Sequence, residues 1–235
     1  MLNQILYLVI TCVLVVGVIP FAISAWAASD SLNIFPPGGN PYGLSYSEHV
    51  KNYWKWILAI PANDNPFNDE TGEKCATGQS NMSSSVFYLA PNGGGHSERT
   101  CKVPVGKGLV IPVMHVEESQ FEAPGASPMQ LSDLAKNDQD KVNSLYLKID
   151  DKEYKHDNLT KYRTRTEPLE TTWPDRALMG IEKGGNSTVV ADGWYIITEP
   201  LAKGNHTIYF KSSLPPDPSG AEGYATDIKY NIIAE

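Results

Sequence analysis

The sequence predicts a mainly β protein: an antiparallel β-sandwich of jelly-roll or immunoglobulin-like type, with one N-terminal amphipathic helix and one short helix. From Ser84 onward, short runs rich in β-branched and aromatic residues are separated by Gly, Pro, Asn or Asp. The 235 residues include 19 Gly and 17 Pro, which indicates many turns. Strand and helix patterns do not alternate along the chain, which argues against a doubly wound parallel sheet.

The chain begins with an apolar segment that bears on the compartment of the rest. Residues 5–27 carry no charge and end on Ala25-Trp26-Ala27, a pattern typical of signal peptidase sites. Residues 1–27 are predicted to be a signal peptide, or a retained N-terminal anchor, because the run is long enough to span a bilayer. Either outcome predicts a secreted or cell-surface protein, unless the lack of positive charge before the run inverts its orientation.

Two further segments follow. Residues 28–43 are rich in Pro and Gly and show no period, which predicts a linker that acts as a tether or as a wrapped extended arm. Residues 44–235 are predicted to form a single β-sandwich domain with an N-terminal helix, since this length suffices for one large core.

The helix is predicted over residues 45–60. Ser45 and Glu48 form a capping box, and Pro61 follows the helix. Its apolar face is formed by Tyr46, Val50, Tyr53, Trp54 and Ile57. Trp56 lies off this face and is predicted to make a second packing contact, with carbohydrate stacking as the alternative. The short helix is predicted between Met129 and Asp140.

Three hairpins are predicted among the strands. Asp150-Asp151 is placed at a tight turn, residues 106–108 separate the strand around Cys101 from the next strand, and residues 201–205 separate another pair. The strand of residues 109–116 is apolar on both faces, which predicts that it is covered on both faces. Pro112 within it requires a bulge or an edge position, because proline has no ladder donor.

Two cysteines lie outside the N-terminal segment, Cys75 and Cys101. An oxidising exterior predicts a disulfide between them, which would stabilise the fold by about 3–4 kcal/mol in the chain-entropy model. The alternative is a structural zinc site, but the sequence lacks the closely spaced cysteine pair that such sites usually contain.

Glycosylation is predicted at four N-x-S/T sequences, at Asn81, Asn158, Asn186 and Asn205. The net charge is −8 and no basic cluster occurs, which argues against nucleic acid or an anionic membrane surface as a partner. An envelope protein or a polysaccharide is the expected partner. Membrane contact is expected only through residues 5–27, if that segment is retained.

Several motifs together resemble a family of uncharacterised secreted β-rich proteins of bacteria and ammonia-oxidising archaea. They are the W-x-W helix of "YGLSYSEHVKNYWKWILAIP", "TGEKC", "ERTCKVPVGKGLVIPV", the pair Tyr162-Arg163 and "DGWYIITEPLAKGNHTIYF". The resemblance spans most of the exported chain. It implies export and a sandwich architecture, and it transfers no catalytic residue.

No catalytic residue is assigned, because the sequence contains none of the standard nucleophile, phosphate-loop or metalloprotease motifs. A transition-metal site is predicted at His96, His115 and Glu117, because alternate strand residues share a face and His96 could approach from the disulfide loop. Glu117, Glu118, Ser119 and Gln120 could instead be a solvated strand end. A calcium site is the second ion hypothesis, in the acidic loop of residues 64–73, with a solvated loop as the alternative.

Two classes of function follow from these features. The first is an exported protein with a non-enzymatic binding or structural role; a carbohydrate-binding module is one form of it, with Trp56, Trp173 and Trp194 as stacking platforms. The second is an extracellular metal-assisted enzyme, which predicts that His96, His115 and a carboxylate converge in a concave site.

Overall fold

The computed structural model describes residues 32–79, 84–216 and 222–235, and in these residues the chain is mainly β. Ten strands form two five-stranded sheets in this part of the chain. The strands are β1 Val86–Tyr88, β2 Gly95–Val103, β3 Gly108–Ser119, β4 Ser144–Ile149, β5 Lys152–Lys155, β6 Arg163–Arg165, β7 Leu169–Trp173, β8 Gly185–Ile197, β9 Gly204–Leu214 and β10 Tyr224–Ala234. The α-helices are α1 Tyr46–Leu58, α2 Pro128–Gln139 and the short α3 His156–Leu159.

The two sheets are mixed. The first has the order β1-β3-β8-β6, with β7 also paired to β8, and the second has the order β2-β10-β9-β4-β5. The pairs β1–β3 and β2–β10 are parallel, while the other pairs are antiparallel. The prediction of a mainly β, sandwich-like fold is therefore confirmed, but the expectation of purely antiparallel sheets is wrong at these two pairs.

The first sheet lies between α1 and the second sheet. Met114 of β3 pairs with Trp194 of β8, and Tyr195 follows Trp194, so the side chains of Met114 and Tyr195 point to opposite faces. The indole of Trp54 on α1 donates to the Tyr195 hydroxyl at 2.9 Å, whereas Met114 meets Ser212 of β9 at 3.2 Å. The prediction that β3 is covered on both faces is confirmed.

Helix α1 begins where the sequence predicts. The Ser45 hydroxyl accepts from the Glu48 backbone N–H at 3.3 Å, and the Glu48 carboxylate accepts from the Ser45 N–H at 2.8 Å. This capping box contributes about 1 kcal/mol to helix stability. Helix α2 starts with the same arrangement at Ser127 and Gln130, and it matches the predicted short helix. The four-residue α3 was not expected.

Strand β3 contains a bulge at its proline. The register between β3 and β8 shifts between Pro112 and Met114, as predicted for a residue that cannot donate to the ladder. Strand β3 also begins under a close contact: a Cβ on Gly108 would lie 2.2 Å from the Tyr42 hydroxyl and 2.5 Å from the Thr198 carbonyl oxygen. Only glycine fits at that position.

One of the three predicted hairpins is present. Strands β4 and β5 pair across Asp150-Asp151, and Asp150 adopts the left-handed φ of 51° that this turn requires. The other two predictions are wrong, because β2 and β3 lie in different sheets, as do β8 and β9. Each short connection therefore crosses from one sheet to the other. The burial patterns differ in the same way, because β2 alternates exposed and buried residues whereas β3 is mostly buried.

Residues 32–43 pack against the domain as an extended arm. Ile34 bridges to Thr198, the Phe35 N–H donates to the Ile197 carbonyl oxygen at 2.9 Å, and the Tyr42 hydroxyl donates to the Thr198 carbonyl oxygen at 2.8 Å. The predicted signal segment lies outside the described residues. Within the described residues, no helix has both the length and the apolar character needed to cross a bilayer.

The predicted disulfide is present. Cys75 and Cys101 are bonded, with Cα atoms 6.1 Å apart, and the bond ties the loop before β1 to β2. Gly72 lies against the same strand, where a Cβ would come within 2.4 Å of the Thr100 carbonyl oxygen. The loop and β2 therefore pack backbone to backbone beside the disulfide, which makes this corner part of the scaffold.

Candidate functional site

The three residues of the metal hypothesis occupy two places. His96 lies on β2 of the second sheet, where its side chain is 64% exposed and its Nδ1 is 3.0 Å from the Asp227 carboxylate. His115 and Glu117 lie on β3 and line one cleft, and His96 does not line it. In the described part of the chain, no group of three or more His, Cys, Asp or Glu side chains is arranged to hold a metal ion.

The cleft has a volume of about 610 Å³ and runs beside the second half of β3. Residues 114–118 form its floor. Its walls come from the end of α2, from the last residue of β9, from the first residue of β10 and from separate loops. They include Phe67, Asn92, Asp138, Gln139, Leu214 and Tyr224. The cleft thus combines apolar and aromatic walls with a strand that carries carboxyl groups.

The cleft exists because β3 is longer than its neighbour. Strand β1 pairs only with Gly108 to Val110, so among the described strands none covers that edge of β3 beyond the Leu89 contact with Val110. The Gln120 N–H donates to β8 at Thr188. Because backbone groups alternate along a strand, the N–H and C=O of His115 and Glu117 point away from β8, into the cleft.

Glu117 is the most unusual side chain in the cleft. It is only 4% exposed, and neither carboxylate oxygen meets a hydrogen-bond donor. Glu122 lies beside it, held by the Ser119 hydroxyl, which donates to its carboxylate at 2.8 Å. Two ionised carboxylates can only accept hydrogen bonds, so a bond joins Glu117 and Glu122 only when one of them is protonated.

The protonation of Glu117 follows from these contacts. Burial, then the charge and hydrogen bonding of Glu122, and then the charge of Glu118, raise the pKa of Glu117 well above its ordinary value. Burial, followed by the charges of Glu122 and Asp138, raises the pKa of Glu118 to about 7. In the free protein, Glu117 therefore keeps its proton to a higher pH than an ordinary glutamate does.

His115 is an uncharged part of the cleft floor. Its ring centroid lies 4.7 Å from that of Trp54, 5.4 Å from that of Tyr53 and 5.6 Å from that of Tyr195. Burial among these rings lowers the pKa of His115 to about 3. The imidazole is therefore neutral, and its buried Nδ1 meets no hydrogen-bond partner.

Sequence reasoning found part of this cleft. It singled out His115 and Glu117, but the alternative of a solvated strand end is wrong for Glu117 and Ser119, which are buried. It missed Glu122 and Gln139; the Gln139 Oε1 is also buried without a donor. The polar run that follows an apolar strand, "EESQFE", was the available signal for Glu122.

The tryptophans predicted as sugar-stacking platforms are buried. The indoles of Trp56, Trp173 and Trp194 donate to Thr77, Thr171 and Thr160. Trp56 therefore makes the packing contact predicted for it, and none of the three presents a free ring face.

The predicted calcium loop uses its central carboxylate internally. Asp69 accepts from the backbone N–H groups of Thr71, Gly72 and Lys74 and from the Thr71 hydroxyl. Burial raises the pKa of Asp69, but these four hydrogen bonds outweigh burial and lower it below its ordinary value. Asp69 therefore shapes the turn.

The predicted glycosylation sites are at the surface where they are described. Asn158, Asn186 and Asn205 are exposed, and Asn81 lies outside the described residues.

Comparison of the chain with protein-family models, with curated proteins and with solved structures returned no match, so the cleft itself carries the functional argument.

Proposed function

We propose that this protein is an exported, glycosylated β-sandwich protein, secreted or in the cell envelope, that binds a ligand in the cleft beside β3 and has no enzymatic role. The observation that carries this proposal is Glu117, a buried carboxyl group without a donor on the floor of an open cleft. Leaving a buried polar group unpaired costs about 1–3 kcal/mol. A folded protein retains such a cost most readily where a ligand offsets it.

Several features support the proposed compartment. The apolar segment at residues 5–27 has the pattern of a signal peptide, and the Cys75–Cys101 disulfide suits an oxidising environment. Three of the four N-x-S/T asparagines are exposed, as glycosylation requires. The resemblance to secreted β-rich proteins points the same way. The narrower assignment of a jelly-roll or immunoglobulin-like topology stays a prediction.

A metal-assisted enzyme is the second candidate, favoured by the placement of His115 and Glu117 in one cleft. It requires further ligands, because His96 is on the second sheet and is paired with Asp227. Stoichiometric zinc or calcium bound by the purified protein, and lost on His115→Gln, would favour this candidate over a binding role.

The binding role can be tested through the methionines. Met114 and Met179 line the cleft, whereas Met129 is 73% exposed on α2 and lies outside it. The exported chain would be labelled with ¹³C at the methionine methyl groups and titrated with size-matched neutral, anionic and cationic small molecules. Variants with single Met→Leu changes would assign the signals.

We expect at least one charge class to shift the methyl signals of Met114 and Met179 in a saturable way while Met129 stays constant. If no class shifts the two cleft signals, or if all three signals move together, the cleft is not a binding site.

A further inference from the structure

We propose that the cleft binds an organic cation, a primary ammonium group on an apolar body, with Glu117 and Glu122 as the carboxylates that receive it. This inference rests on the proposed binding function and specifies its ligand.

Hydrogen-bonding capacity is the first reason. Both oxygens of Glu117 and the Oε1 of Gln139 are buried acceptors without donors, and both residues line the cleft. Glu117 is 4% exposed and Gln139 is 2% exposed, so bulk water does not solvate these acceptors. A ligand that satisfies them must donate hydrogen bonds, and an ammonium group brings three donors and no acceptor.

The charge of the lining is the second reason. Five carboxyl groups line the cleft, those of Glu117, Glu118, Glu122, Asp138 and Glu222. Burial keeps His115 neutral, so the cation among the described lining residues is Lys141. Its ammonium group already bonds to the Asp138 carboxylate at 3.1 Å. A cleft lined by acidic groups concentrates cations, and a bound cation in turn favours the ionised forms of Glu117 and Glu118, whose raised pKa values leave them readily protonated in the free protein. The cleft therefore favours a cation over a neutral or anionic ligand.

The walls distinguish an organic cation from a metal ion. Phe67, Val116, Leu214 and Tyr224 are partly exposed and present apolar surface to the cleft. A metal ion gains nothing from apolar walls, and calcium takes six to eight oxygen ligands, whereas the described residues offer no ready-made metal cluster. An amine with an apolar body uses the carboxyl groups and the walls together.

Three probes of one shape test the inference: 2-phenylethylamine, 2-phenylethanol and 3-phenylpropionate. Each would be titrated into the exported chain, with calorimetry for affinity and the methyl signals of Met114 and Met179 for location. We expect the ammonium form of the amine to bind at least ten-fold more tightly than the alcohol, and the anion not to bind. Its affinity should fall as salt concentration rises, because the attraction between charges is screened.

Two variants test which carboxyl groups bind the ammonium group, and a third variant serves as the control. Glu117→Gln and Glu122→Gln should each weaken amine binding at least ten-fold. Glu153→Gln makes the same change at an exposed position on β5, outside the cleft, and should leave the affinity unchanged. Circular dichroism and a melting curve on each variant separate a lost binding site from a lost fold.

The outcomes separate the two proposals. Binding of the alcohol or the anion with affinity equal to that of the amine overturns the cation inference and leaves the binding function intact. Amine binding that survives both glutamate changes also overturns it, as does displacement of the amine by stoichiometric calcium. Both proposals fail if the methyl signals of Met114 and Met179 are shifted neither by these three probes nor by the neutral, anionic and cationic molecules that test the binding function.

Discussion

Asp69 and Glu117 are two carboxylates with nearly the same solvent exposure and opposite surroundings. Asp69 is 6% exposed and accepts four hydrogen bonds, and its pKa is lowered. Glu117 is 4% exposed and meets no donor, and its pKa is raised. Low solvent exposure alone therefore does not decide how a carboxyl group affects the fold; the donors around the group also decide whether it stabilises the fold or weakens it.

The backbone explains the difference. Asp69 lies in a loop whose turning chain directs three N–H groups at one side chain. Glu117 lies in a strand, where successive N–H groups point sideways along the sheet and not toward side chains on its faces. A carboxylate on such a face must find donors on other elements, but the charged neighbours of Glu117 are the acidic Glu122 and Glu118. The loop therefore behaves as scaffold, and the strand end has the properties of a site.

Removing the disulfide that supports the Asp69 loop should have the largest effect. The double variant Cys75→Ala, Cys101→Ala should lose about 3–4 kcal/mol of unfolding free energy, because the bond closes a loop with a sequence separation of 26 residues. Urea denaturation of the oxidised wild type and of the variant gives the difference. A loss below about 1 kcal/mol would show that the corner is held by its backbone contacts instead.

The Asp69→Asn change should cost about 2 kcal/mol at pH 7, because hydrogen bonds to a charged acceptor are replaced by weaker ones. The pKa of Asp69 is lowered in the folded state, so its contribution is present above the unfolded pKa, near 3.8, and is lost as pH falls through the folded pKa. Urea denaturation at pH 7 and at pH 3 should thus show a smaller cost at the lower pH. Asp64→Asn, an exposed change in the same loop, is the control and should alter stability little at either pH.

Much of the scaffold could be predicted from the sequence because its signals are local. The Ser45 capping box, the turn at Asp150 and the proline bulge each depend on a few neighbouring residues. The sheet to which a strand belongs does not depend on such local signals. Residues 106–108 suggested a hairpin turn, yet the chain crosses from one sheet to the other between β2 and β3. The alternation of polar residues in β2 against the two-sided apolar β3 was the signal that separated them.

The site was predicted only in part, because local sequence signals do not show which distant segments come together. His115 and Glu117 are neighbours in sequence, and strand alternation placed them together. Phe67, Asp138 and Tyr224 come from distant segments, and their approach depends on where β1 ends and how α2 packs. No pattern within one segment shows that a strand edge will be left uncovered.

Glu117→Gln should stabilise the protein by about 1.5 kcal/mol at pH 8, the reverse of the Asp69 result, because it removes a buried acidic group that must either hold a proton or be ionised without a donor. The pKa of Glu117 is raised in the folded state, so the folded protein binds the proton more tightly than the unfolded chain does. Stability from this group is full below the unfolded pKa, near 4.5, and is lost as pH rises toward the folded pKa. Urea denaturation at pH 4 and pH 8 should show the gain only at pH 8, and a loss of stability at pH 8 would contradict the comparison.

Glu118→Gln should also stabilise the protein, with the smallest effect of the four changes. We expect a gain of about 0.5 kcal/mol in unfolding free energy, because this side chain is half-buried and solvent screens its interactions. Its folded pKa of about 7 lies above the ordinary value of 4.5, so the wild type loses stability as pH rises between these values, and the loss is complete above pH 7. The groups that face Glu118 and raise its pKa are Glu122 from the turn after β3 and Asp138 from α2, so the gain should shrink when Asp138→Asn is already present. A ¹³C carboxyl titration should place the Glu118 midpoint near pH 7 in the wild type and lower in Asp138→Asn. A midpoint near 4.5 in the wild type would mean that water solvates this end of β3 fully, and the contrast with Asp69 would then depend on Glu117 alone.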